Sequence, residues 1–234
     1  MIRTVAETGS TNADMAALAK AGAAEGDWLR AERQTAGRGR QGRQWASEPG
    51  NLYASTLVRL RRGDPSPPTL GFVAAVALHE AVAAYLDEGR GFLKWPNDLL
   101  VDGAKLSGIL LERSQDAVII GFGVNLAHHP TGIDRVATSF AALGAVVTPD
   151  IFLETLAETL RRWVAIWRAQ GFAPVRNRWL AKAHDQGTAL AVRQSDGPPL
   201  QGLFCGIDND GALILRLADG ARHVIHAGDV FVIG

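Results

Sequence analysis

The sequence predicts an α+β fold in two parts, a larger part over residues 1–186 and a small all-β part over residues 187–234. Three observations predict it. The 234 residues suit one large and one small domain. Up to residue 186, runs with strand character and segments of helical period are both present. After Gly187 the character changes to short β runs at 189–193, 200–207, 212–217, 223–226 and 229–233, separated by Ser-Asp-Gly, Asn-Asp-Gly, Asp-Gly and Ala-Gly turns, the spacing of a small barrel.

Residues 2–6 read as a short strand. Thr11 with Asp14 three positions on fits a capping pattern, and the helix it opens stops near Gly22. Residues 28–33 form the next strand. Residues 34–50 are glycine-rich without apolar periodicity and predict a long loop, a feature that compact domains keep mainly for function. Residues 51–60 return to strand. After Pro65, Pro67 and Pro68, an Ala-rich helix over 69–87 is apolar on most faces and predicts deep burial. Short strands follow at 92–95, 99–101, 105–112 and 117–124, with Asp102-Gly103 as a hairpin turn. Thr148-Pro149-Asp150 opens a helix that runs to about residue 169, and a further helix covers 173–183.

Composition excludes several classes. With 24 Lys plus Arg against 24 Asp plus Glu, the net charge is zero, against a nucleic-acid coat and a polybasic membrane binder. A single cysteine, Cys205, excludes a disulfide framework and a cysteine zinc site and suits a reducing cytosol. The N-terminus has no apolar core of a signal peptide, and residues 70–78 are too short an apolar run to span a bilayer. A cytoplasmic protein is expected.

Against that neutral background, residues 30–43 hold five Arg and one Glu, a net +4. Within them Gly37-Arg38-Gly39-Arg40-Gln41-Gly42-Arg43 admits three readings. It matches G-x-G-x-x-G, but a dinucleotide fingerprint must open a helix onto the pyrophosphate, and Gln44-Trp45-Ala46-Ser47-Glu48-Pro49-Gly50 opens none. It could touch single-stranded nucleic acid, though it lacks interleaved aromatics. Or it is an enzyme's anion-binding loop, with glycines exposing N–H groups, arginine forks neutralising phosphate or carboxylate, and closure over substrate.

A second constellation is Lys94-Trp95-Pro96-Asn97-Asp98 with Lys105-Leu106-Ser107-Gly108. Lys105 begins a strand and is followed by the apolar Leu106, Ile109, Leu110 and Leu111, and a cation on a largely buried strand needs an anion; a surface lysine at a hairpin end is the plain alternative. A third is Gly121-Phe122-Gly123-Val124-Asn125-Leu126, where glycines inside a strand mark close approach of a ligand or a β-bulge. Other patterns fail. His79-Glu80 lacks the second His of a zinc helix, no G-x-S-x-G is present, His128-His129 lacks a third ligand, and Cys205 sits in an apolar strand.

Together with Gly9-Ser10-Thr11-Asn12, Gln34-Thr35-Ala36 and Asn51-Leu52-Tyr53, these segments resemble, in order and spacing, the biotin protein ligases of the biotin/lipoate ligase superfamily. The resemblance covers nearly the whole chain, and Gly206-Ile207-Asp208 with Gly211-Ala212-Leu213 resembles the family's SH3-like C-terminal domain. It implies a class II synthetase-like mixed sheet with flanking helices. With only nine residues before Ser10, it implies the monofunctional type without a DNA-binding domain. The implied reaction joins biotin and ATP into biotinyl-5′-AMP and passes biotin to a lysine of a biotin carboxyl carrier protein, with Mg²⁺ on the phosphates. A homodimer is compatible with it; nucleic acid and membrane partners are not expected. A lipoate or octanoate ligase on the same fold is the nearest alternative.

By the same resemblance Ser10, Thr11, Asn12 and Gln34 would hold biotin. Arg38, Gly39 and Arg40 would cover its carboxylate and the phosphoryl group. Lys105 would contact both and leads the catalytic candidates, with Arg40 and Arg38. Arg43, Trp45, Asn97 and Asn125 would line the adenylate side, Gly108 and Gly123 would let backbone approach biotin, and Asp98 would help hold Mg²⁺. Such chemistry needs no enzyme nucleophile, only positioned anions and offset charge.

Overall fold

The computed structural model describes residues 1–131, 136–194 and 197–233. The first sheet contains β1 (Ile2–Thr8), β2 (Trp28–Gln34), β3 (Leu52–Arg59), β4 (Gly91–Lys94), β5 (Asp98–Val101), β6 (Ala104–Ser114) and β7 (Ala117–Val124). Their order is β1-β2-β3-β7-β6-β5-β4, with β1 and β2 parallel and every other pair antiparallel. Helix α1 (Thr11–Lys20) covers one face, and α2 (Leu70–Ala83), α3 (Pro149–Gln170) and α4 (Ala173–Leu180) gather on the other. A second sheet of β8 (Ala189–Arg193), β9 (Leu200–Ile207), β10 (Leu213–Arg216), β11 (Arg222–Ile225) and β12 (Asp229–Val232) is antiparallel throughout, in the order β11-β10-β9-β8-β12. The mixed sheet with flanking helices is the one expected. Among the described residues no helix is long and apolar enough to cross a membrane.

Several local expectations need correction. Thr11 is the first helical residue of α1 and Ser10, in extended conformation, is its cap. Asp14 instead accepts from Thr8 Oγ1, so the Thr11 hydroxyl is free for a longer-range partner. The run 69–87 is helical only over Leu70–Ala83; Tyr85 and Leu86 turn back onto the Val82 carbonyl. It is buried nearly all round, as its composition demands, because α3 packs on one side and the sheet on the other. Phe152, Leu156, Leu160 and Val164 of α3 form the expected buried stripe, and Trp167 extends it, its indole N–H donating to Thr69 Oγ1 at 2.8 Å.

Strand parity creates the cleft. Successive side chains of a strand point to opposite faces. On β7, Val118, Ile120, Phe122 and Val124 join the core under α2, while Ala117 and Ile119 pack under α1 with Met15, Ala19, Leu29 and Leu57. The next two positions on the α1 face are Gly121 and Gly123. Apolar side chains thus run out on that face alone, and the gap beyond α1 stays open without disturbing the core behind it.

The second sheet is anchored to the first. Trp95 Nε1, just after β4, donates to the Gly211 carbonyl at 3.0 Å, and Arg176 Nε of α4 donates to the Ile207 carbonyl at 2.8 Å. Gly211 has φ +87°, and a Cβ there would lie 2.2 Å from Phe72, whose ring packs edge-on to Trp179 and Phe172. Positive φ and the lack of space both require glycine.

Candidate active site

The cleft holds about 380 Å³. All fifteen residues expected from the sequence line it: Ser10, Thr11, Asn12, Gln34, Arg38, Gly39, Arg40, Arg43, Trp45, Asn97, Asp98, Lys105, Gly108, Gly123 and Asn125.

At its closed end is a buried polar chain. Gln34 Oε1 accepts from the Thr11 amide at 2.8 Å and from Thr11 Oγ1 at 3.1 Å. Ser55 Oγ lies 2.8 Å from Thr11 Oγ1 and 2.7 Å from Asn12 Oδ1. Asn12 Nδ2 donates to Glu112 Oε2 at 2.7 Å. Gln34 Nε2 donates to Ser47 Oγ at 3.3 Å, and Ser47 Oγ to the Trp45 carbonyl at 3.1 Å. Each amide is therefore oriented by its partners, which makes this end a fixed set of donors and acceptors. Ser55 and Glu112 belong to it and were not expected as site residues; Ser55 shows only as one more polar position in a strand.

Residues 37–45 form a flap over the cleft. Arg38 and Gln44 make a β-bridge, Gly39 N–H donates to the Arg43 carbonyl at 2.7 Å, and Trp45 N–H to the Gly37 carbonyl at 2.9 Å. A single 3₁₀ turn, Arg40–Gly42, sits at its tip, with Gln41 at φ +57°. No helix opens after the glycines, as the rejection of the dinucleotide fingerprint required. Arg38 is exposed and Arg40 turns inward. Burial holds the Arg40 guanidinium below its ordinary pKa, Asp229 and Asp98 oppose that, and Arg43 adds to it. Its Nη1 is buried without an acceptor among the described residues. A buried charged donor without a partner is costly, so this one implies an anion supplied from outside.

The β4–β5 hairpin and the start of β6 supply the opposite wall. Lys105 Nζ lies 2.5 Å from Asp98 Oδ1, an ion pair that is mostly buried. This is the anion the strand lysine needs within the fold, and the surface-lysine alternative is set aside. Asp98 stands in that pair; among the described residues no group of three or more His, Cys, Asp or Glu could hold a metal ion. Asn97 Nδ2 donates to the Ile109 carbonyl at 2.8 Å and Asn125 Nδ2 to the Thr138 carbonyl at 3.0 Å, so both amides also brace the backbone around the cleft. Asp229, at the start of β12, reaches the rim and accepts from Arg43 Nη2 at 2.9 Å. It went unforeseen because it lies in the other sheet, where nothing local marks an acidic residue as a site.

The mixed sheet with a basic flap over a polar-ended cleft belongs to a ligase: the pattern of the Biotin/lipoate A/B protein ligase family matches residues 10–125, and that of the Biotin protein ligase C terminal domain matches residues 191–232. The chain is 41% identical to the biotin–[acetyl-CoA-carboxylase] ligase of Paracoccus denitrificans over 97% of its length and 98% of the relative's. It is 36% identical to the Mycobacterium tuberculosis protein of that name, over 97% of this chain and 86% of the relative. The biotin protein ligase from Aquifex aeolicus, solved in complex with biotin and ATP, is 25% identical with a TM-score of 0.84 over 99% of this chain and 98% of that one. The chain belongs to the biotin protein ligase family.

Proposed function

We infer that this chain is a biotin–[acetyl-CoA-carboxylase] ligase that activates biotin with ATP and transfers it to a lysine of a biotin carboxyl carrier protein. The single observation that carries the reading is the buried, unpartnered Arg40 Nη1 in a cleft that also holds the Lys105 ammonium. Two cations with limited solvent suit a site where a carboxylate and a phosphate must approach each other.

In the first step a biotin carboxylate oxygen bonds to the α-phosphorus of ATP as the bond to the β-phosphate oxygen breaks, giving biotinyl-5′-AMP and pyrophosphate. In the second the carrier's lysine amine bonds to the biotinyl carbonyl carbon, the anhydride bond breaks, and AMP and a proton leave. Ser10, Thr11, Asn12 and Gln34 hold the ureido ring. Lys105 and Arg40 neutralise the charge gathered between carboxylate and phosphate, with Arg38 and Gly39 closing above, and Arg43, Trp45, Asn97 and Asn125 lie on the nucleotide side. Mg²⁺, when it arrives with the nucleotide, would supply further charge neutralisation, with Asp98 and Asp229 as the residues that would hold it. The donor set fits a metal that arrives on the nucleotide, since magnesium there needs only one or two protein carboxylates, and among the described residues Asp98 and Asp229 are the carboxylates that line the cleft. Residues 1–186 form the catalytic domain in this reading and residues 187–234 a C-terminal domain that completes its rim.

The test is transfer of labelled biotin to a carrier domain in the presence of ATP and Mg²⁺, with pyrophosphate exchange measured against biotin and lipoate. Biotin-dependent exchange and labelled carrier are expected. Exchange driven by lipoate alone would make the chain a lipoate ligase, and salt-sensitive single-strand binding without exchange would make the flap a nucleic-acid element.

A further inference from the structure

The indole of Trp45 packs on bare backbone. Gly108 and Gly123 face each other in the β6–β7 register, Tyr53 of β3 lies beyond Gly123, and Asp98 of β5 lies beyond Gly108. The row across four strands therefore reads aromatic, glycine, glycine, acid, a trough two strands wide. Trp45 fills it. A Cβ on Gly123 would lie 2.4 Å from Trp45 Cε2 and 2.7 Å from Cζ2 and Nε1, and one on Gly108 would lie 3.1 Å from Cζ3. Lys105 Nζ stands 5.5 Å from the ring centroid, within cation–π range.

We propose that the Gly108–Gly123 pair is the seat of Trp45, and that filling this seat holds the flap over the cleft. The two glycines are positioning residues acting through the indole, where the family resemblance implied that they let backbone approach biotin. The nearest obstacle to a side chain at either position is the protein's own tryptophan. Trp45 is in turn tied to the rest of the flap by its backbone N–H, which donates to the Gly37 carbonyl, and to the polar end of the cleft through Ser47. A displaced indole therefore loosens both. The consequence for retention of the intermediate rests on the proposed function; the seating itself does not.

The test is a cycle of Gly123→Ala, Trp45→Ala and the double variant. In ligand-free protein, hydrogen exchange at the amides of residues 37–45 should speed up by about tenfold in Gly123→Ala and match Trp45→Ala. The double variant should be no faster than Trp45→Ala alone, because the added methyl then meets no indole. Release of labelled biotinyl-5′-AMP should follow the same non-additive pattern. Unchanged exchange in Gly123→Ala overturns the seat, and so do effects that multiply in the double variant, which would mean that the glycine serves a ligand directly. If Gly123→Ala fails to fold, Gly108→Ala with its looser contact takes its place in the cycle under the same criteria. A wild-type protein that forms no adenylate would refute the proposed function and leave the exchange result standing.

Discussion

Arg43 of the flap and Asp229 of β12 are bonded at 2.9 Å, although 186 positions separate them in the chain. The Arg43 side chain is 42% exposed, and pairs of that kind contribute about 0–1 kcal/mol to stability. Asp229→Asn should therefore melt within a few degrees of wild type. Its KM for ATP should rise by about three- to tenfold, since the flap loses a tether on the nucleotide side. Steady-state kinetics decide it, and Arg43→Ala should add little on top. An unaltered KM would show that the tether is idle.

Lys105→Ala should abolish adenylate formation, lowering its rate by about 10²–10³ as loss of a charge-stabilising donor does. It also strands Asp98 beside the cleft, at a cost of about 1–3 kcal/mol. Circular dichroism should nevertheless report a folded protein at room temperature. Normal pyrophosphate release by that folded variant would remove Lys105 from the mechanism.

Arg40→Ala separates stability from function. Its guanidinium is partly buried with an unpartnered Nη1, so removing it should leave the melting temperature unchanged or higher. Labelled adenylate should meanwhile leave the enzyme faster. A variant that melts lower and retains adenylate as long as wild type would contradict both halves of the argument.

Much of the site is legible in the sequence because its parts are local. The flap, the Lys94–Asp98 turn and Lys105 each carry chemistry within a few residues, and all fifteen expected residues meet in one cleft. What is not legible is long-range pairing. Asp229 becomes part of the rim only because β12 docks there. Ser55 and Glu112 matter only because Asn12 reaches both of them. Helix ends shifted for a related reason: Thr11 offers a good capping hydroxyl, but Gln34, 23 residues on, takes it.

His184 makes stability depend on pH. Its ring packs against Phe92 at 4.5 Å and Phe204 at 6.0 Å between centroids. Burial, with the nearby Lys94 charge, pushes its pKa down to about 4 from 6.5; burial also lowers that of His79. A histidine whose folded pKa is depressed binds protons more readily in the unfolded chain. Stability is therefore full above about pH 6.5 and falls as pH drops towards 4. Urea midpoints at pH 7.5, 6 and 5 should decline for wild type and decline less for His184→Leu. Parallel curves for the two proteins would rule out His184 as a source of the slope.

The parity of β6 and β7 bears on how such a pocket can be reshaped. Residues 108, 110, 121 and 123 line the cleft on one face of the sheet, while the side chains of 109, 120 and 122 belong to the core behind it, 109 and 122 also bordering the cleft. Mutations at one set and the other answer to different constraints. A lineage could revise its ligand preference mainly on the first set, with positions 109 and 122 as the places where specificity and stability are inherited together.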